Sequence, residues 1–99
     1  MFKRKRAEAL RKAAPPRRIR IHSVTPQPAG AARPVYFRVA FEFLDPPGPW
    51  TLQFFEVGGD QASTLQGLEP GAETRFWESD DEARTRVMET PEGEALWPR

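Results

Sequence analysis

Residues Pro34–Leu44 read Pro-Val-Tyr-Phe-Arg-Val-Ala-Phe-Glu-Phe-Leu, and their alternation limits the possible folds more than any other feature of the chain. Val35, Phe37, Val39, Phe41 and Phe43 take the odd positions, and Tyr36, Arg38, Ala40, Glu42 and Leu44 the even ones. A strand sends successive side chains to opposite faces, so this segment offers one wholly apolar face and one mixed face. A helix would scatter the same residues around its circumference. The segment is expected to be the central strand of a small β core on which the other apolar segments pack.

Those segments are short and separated by turn residues. Arg17–Val24 sets Ile19 and Ile21 against Arg18, Arg20 and His22 and reads as a first strand at an edge, its basic face outward. Thr25–Arg33, with Pro26, Pro28 and Gly30, reads as a loop. After the turn Asp45-Pro46-Pro47-Gly48-Pro49 comes Trp50–Val57. There Trp50, Leu52 and Phe54 share one face, Thr51, Gln53 and Phe55 the other, and the segment forms a hairpin with 35–44. Gly58-Gly59-Asp60 is the next turn, Ala62–Leu68 a weaker strand and Glu69-Pro70-Gly71 a further turn. Ala72–Glu78 alternates again, with Thr74 and Phe76 facing opposite to Arg75 and Trp77. Ser79-Asp80-Asp81-Glu82 matches a capping box that would open a helix over 83–89. The β-branched Thr85 and Val87, with the turn Thr90-Pro91-Glu92-Gly93, favour a hairpin of 84–89 with 94–97 instead. The expected fold is all-β: a small immunoglobulin-like sandwich or a compact barrel of about five to seven short antiparallel strands, preceded by a short basic helix or arm.

Leu65-Gln66-Gly67-Leu68-Glu69-Pro70-Gly71-Ala72-Glu73-Thr74-Arg75-Phe76 resembles the E–F corner of immunoglobulin-like domains of the fibronectin type III kind, where a Leu-x-Pro-Gly turn precedes an alternating strand. The corner tyrosine of that family would fall on Thr74. The resemblance implies a sandwich fold and no particular function, because such sandwiches host many.

A net charge of +1 conceals a sharp division. Residues 1–20 hold nine of the fifteen Lys and Arg and one acid, Glu8, which makes +8; residues 21–99 hold six Arg and thirteen acids, which makes −7. Met1–Ala14 is built of good helix formers, and Pro15-Pro16 ends any helix there. Phe2 and Leu10 are too few to bury a face, so this segment reads as a frayed helix that is stable only on a partner. The expected division is a basic arm over 1–16 and a β domain over 17–99.

Lys3, Arg4, Lys5, Arg6, Arg11, Lys12, Arg17, Arg18 and Arg20 are the candidate partner-binding residues. A protein surface in a larger assembly, the phosphates of a nucleic acid and an anionic membrane are the three partners such an arm could meet, in that order of preference. Nothing in the arm could read bases, so contacts with nucleic acid would be independent of sequence. Tyr36, Phe55, Trp77 and Trp97 fall on the less apolar faces of their strands and are the candidate interface aromatics. They could stack single-stranded bases, complete an ordinary core or meet a protein. Glu78, Asp80, Asp81 and Glu82 form an acidic cluster without the spacing or central Gly of a calcium loop, and read as a solvated turn.

Composition excludes several other functions. With no Cys there is no disulfide, thiolate nucleophile or Cys-based zinc site, and with no Asn no glycosylation sequon. One histidine, His22, and no Gly-x-Ser-x-Gly, His-Glu-x-x-His or Gly-rich phosphate loop leave catalysis and cofactor binding without an obvious seat. No apolar run approaches the ~18 residues of a membrane span, and the charged start lacks the apolar stretch of a secretory signal. The chain is expected to work inside the cell, or to be assembled there. Eleven Pro with no Cys or Asn suits a thermophile and suits a GC-rich genome equally. The reading is of a non-catalytic interaction or structural module that docks through its arm and exposed aromatics. The alternative is a sequence-tolerant nucleic-acid-binding protein.

Overall fold

The computed structural model describes residues 2–30, 32–45, 51–79 and 85–99, with side chains from Arg4 onward. Helix α1 (Phe2–Ala13) is followed by strands β1 (Arg17–Gln27), β2 (Tyr36–Phe43), β3 (Gln53–Gly58), β4 (Glu73–Glu78), β5 (Arg86–Glu89) and β6 (Ala95–Leu96). The fold is all-β, a single antiparallel sheet in the order β3-β2-β1-β4-β5-β6. One sheet in place of two facing sheets selects the rolled, barrel-like architecture over the sandwich.

The rolling follows from the core. Phe41 on β2 and Phe76 on β4 have ring centroids 5.1 Å apart, although β1 lies between their strands. Phe55 on β3 and Phe76 are 5.8 Å apart across two intervening strands. In a flat sheet strands three places apart would be separated by about 14 Å, so the sheet must curl around these rings. One buried cluster draws Ile19, Val39, Phe55, Phe76, Met88 and Leu96 from all six strands. Past β6 the Arg99 amide donates to the Glu56 carbonyl at 2.9 Å, which brings the chain back to β3 and draws the two edges together.

The alternation in β2 holds from Phe37 to Phe43: Val39 and Phe41 are buried, and Phe37 and Phe43 pack against them. The predicted hairpin partner is correct but its face is reversed. Val39 pairs with Phe55 and Phe37 with Val57, and directly opposed residues share a face, so Phe55 and Val57 are buried and Phe54 is 52 % exposed. Trp50 and the turn before it lie outside the described residues.

β1 is central, between β2 and β4, and not the edge strand expected. It also continues through Thr25 and Pro26, where a loop was expected. β4 pairs with Arg17–Arg20, and Ile21 exchanges backbone hydrogen bonds with Gly71 and Ala72; past Ile21 the described ladder has β2 alone beside β1, which accommodates a proline. A bulge at His22 makes this possible. Ile21 opposes Phe41 and Ser23 opposes Ala40, so the inward positions change from Ile19 and Ile21 to Val24.

The segment 62–68, expected as a weak strand, is instead part of a crossover with 3-10 turns at Gly59–Gln61 and Thr64–Gly67. Leu65 and Leu68, three residues apart, both reach the core from it, a spacing that a strand would split between faces. The closing hairpin is as expected. Thr90 donates its amide to the Glu94 carbonyl and Gly93 to the Thr90 carbonyl, and Gly93 has φ 92°, where a Cβ would be strained.

Candidate functional site: the basic helix and the seam of the sheet

Helix α1 is docked on the outer face of β4–β6. Ala7 is fully buried and forms a second core with Trp77 and Val87, joined by Leu10, Ala14, Ala95 and Trp97. The small Ala7 side chain lets the helix backbone approach the indole, whose Nε1 donates to the Ala14 carbonyl at 3.0 Å. Glu89, nearly buried, is the electrostatic anchor. It accepts from Arg11 of the helix at 2.8 Å and from Arg75 of β4 at 2.7 and 3.0 Å. The frayed helix expected from the sequence therefore finds its partner in its own sheet.

The remaining N-terminal cations divide into paired and unpaired. Arg17 donates to the Asp45 carbonyl at 2.9 Å and lies 3.7 Å over the Phe43 ring. Arg18 reaches Glu73 at 2.7 Å, and Arg20 bridges Glu42 at 3.2 Å and Glu73 at 3.3 Å. Two acids of the body, Glu42 and Glu73, thus pair with Arg18 and Arg20 in the strand half of the basic segment. Arg4, Lys5, Arg6 and Lys12 are exposed and have no acid partner among the described residues; the Lys3 side chain is outside them. Successive helical positions turn by 100°, which places Lys5 and Lys12 on the side opposite Ala7 and Leu10 and Arg6 at the flank beside Leu10.

The hydrogen bond from Arg20, reinforced by Arg18, holds the Glu73 carboxyl below its usual value of 4.5. A depressed carboxylate pKa adds stability above the unfolded-state value and loses it as pH falls through the folded one. Glu73→Gln should therefore lower the denaturation midpoint slightly at pH 7, and the difference should shrink towards zero as pH drops below 4.5. Urea melts at a series of pH values measure this. A difference that is flat or grows with acid would dismiss the pairing.

The four candidate aromatics are not a common surface. Phe55 lies in the main core and Trp77 beneath α1, both buried, so of the roles open to these aromatics these two complete a core within the chain. Trp97 is partly buried beside the helix, and Tyr36 is also partly buried, with the Arg99 guanidinium 4.0 Å above its ring. Among the described residues the exposed aromatic is Phe54, hidden from sequence reasoning because the inward face of β3 is the opposite of the one expected. The one signal in the sequence is Glu56, whose charge between Phe55 and Val57 sets those two on the face opposite to its own.

Phe54 belongs to a cleft of about 340 Å³ at the seam where the sheet edges meet, lined by Arg38, Phe54 and Glu56 on one side and Arg86, Pro98 and Arg99 on the other. Its three arginines are braced by rings: Arg99 on Tyr36, Arg86 5.4 Å over Phe55 and Arg38 5.9 Å over Phe54. Arg38 pairs with Glu56 at 3.1 Å, and Arg86 and Arg99 have no acid partner among the described residues. A second cleft, of about 480 Å³, lies beside the helix between Arg4, Arg11, Thr64 and Trp97.

His22 sits at the bulge, its Nε2 3.4 Å from Glu42 Oε1. Among the described residues no three His, Asp or Glu side chains converge as a metal site would require, and no helix is long and apolar enough to cross a membrane. Of the acidic cluster only Glu78 is described; Asp80, Asp81 and Glu82 lie outside. No protein-family model matches the chain, and comparison with curated proteins and with solved structures gives no significant match.

Proposed function

We propose that the protein is a non-catalytic module that docks into a larger assembly by presenting the outer face of α1 to an acidic surface of a protein partner. The carrying observation is the division of the cations: those nearest the sheet are held by the chain's own acids, whereas Lys5 and Lys12 point away from it and Arg6 lies exposed at its flank, with no acid partner among the described residues. Docking α1 on the sheet fixes these charges in space, which reduces the ordering cost of binding relative to a disordered tail. Long-range attraction between opposite faces would speed encounter and weaken with salt.

The test replaces Lys5, Arg6 and Lys12 together by Gln, keeping good helix formers and leaving Ala7, Leu10 and Arg11 in place. The variant should melt as the wild type does and should no longer co-migrate with the assembly when cell extract of the source is fractionated by size. Retained co-migration would exclude the helix face as the docking surface. A second reading, contact with nucleic acid, is favoured by one separate observation: the three ring-braced arginines of the seam cleft.

A further inference from the structure

We propose that the seam cleft between β3 and the chain past β6 binds one nucleotide unit of a single-stranded nucleic acid, with its phosphate on Arg38, Arg86 and Arg99 and its base on Phe54. This rests on the second reading above and assigns it a place distinct from the helix. Three guanidiniums against one side-chain carboxylate, Glu56, give the lining side chains a net positive charge. A guanidinium is a planar fork that matches phosphate oxygens in pairs, and stacking its face on a ring leaves the N–H edges free to donate. Arg99 on Tyr36 and Arg86 over Phe55 have that arrangement, and both rings are fixed by the sheet.

Phe54 supplies what a bare phosphate site lacks. It is half-exposed in the strand, with Arg38 near one face, and every base has a π-face to lay against such a ring. A volume of about 340 Å³ is at the lower end of small-ligand pockets, the scale of one nucleotide and too small for a duplex. With the arginines taken up by phosphate and the base held by ring stacking, the site would be tolerant of sequence.

The probe is a fluorescently labelled oligo-deoxythymidine, titrated with the full-length protein and read by anisotropy in low salt. Binding should weaken by a large factor between about 50 and 200 mM salt. Phe54→Ala should lower affinity about fivefold or more for the oligonucleotide and leave unchanged the weaker binding of an abasic strand of equal length. Arg86→Gln with Arg99→Gln should lower affinity about tenfold or more for both strands. Replacing Lys5, Arg6 and Lys12 by Gln is the control. Should it abolish binding while the cleft variants bind normally, the nucleic acid is held by the helix and the cleft assignment fails. No binding by the full-length protein in low salt, or equal affinity for the abasic strand, would also overturn it. Co-migration with an assembly in extract is measured independently, so loss of one proposal leaves the other standing.

Discussion

Phe41→Ala should cost about 3–5 kcal/mol, a large share of the stability available to a chain of this size. The ring is almost fully buried and contacts Phe43 at 5.5 Å and Phe76 at 5.1 Å, while Phe76 in turn meets Phe43 and Phe55. Removing it leaves a void at the point where the sheet curls on itself, and the neighbouring backbones are too constrained by the ladder to fill it. The neighbouring Glu42→Ala should be milder but measurable. Strand parity alone makes it an outward residue of no consequence, yet Glu42 is only 8 % exposed and accepts from Arg20. A hydrogen bond to a charged group contributes about 1.5–3 kcal/mol, less where the partner is open to water as Arg20 is. Denaturant midpoints of the two variants provide the comparison. Equal shifts would mean that the packed face of β2 has been misassigned.

The difference between these two residues shows what was legible in the sequence. Period-two alternation identified the inward face of β2, where Phe37, Val39, Phe41 and Phe43 form a continuous apolar row; on β4 it separated Phe76 from Trp77 but could not show that α1 buries Trp77 on the outer face. It failed at β3, where Phe54 and Phe55 are adjacent and either could be the inward ring; pairing with Val39 decides, and register is a tertiary property. It failed in β1 after Ile21, since a single extra residue at His22 exchanges the faces. The crossover at 62–68 was misread for a related reason. Leu65 and Leu68 are consistent with a short irregular strand until a three-residue repeat is considered.

The candidate site was half legible. A dense run of cations is visible without any structure, but which of them remain available is decided by acids distant in sequence: Glu73, Glu42 and Glu89. The seam cleft was not legible at all. Arg38, Phe54, Arg86 and Arg99 come from separate segments and meet only because the sheet rolls.

Deleting residues 1–14 should destabilise the β domain by about 3–5 kcal/mol and make it aggregate, although composition suggests a dispensable arm. The helix covers the indole of Trp77 and the side chain of Val87, which are 3 % and 0 % exposed in its presence. A tryptophan buries about 150–250 Å² in such a position, and returning even half of that to water costs ~2–3 kcal/mol before Val87 is considered. The deletion also removes Arg11, one of the two arginines that neutralise the buried Glu89, and takes away the carbonyl acceptor of the Trp77 indole. Ala7→Asp makes the same test by a single substitution. It keeps the helix in the chain but sets a carboxylate, without room or partner, against Trp77. Both variants should lose several degrees or more of melting temperature and bind a hydrophobic dye near their midpoints. If the truncated chain instead melts like the full-length protein, α1 is an independent arm, and the cations on its outer face have no fixed platform from which to meet a partner.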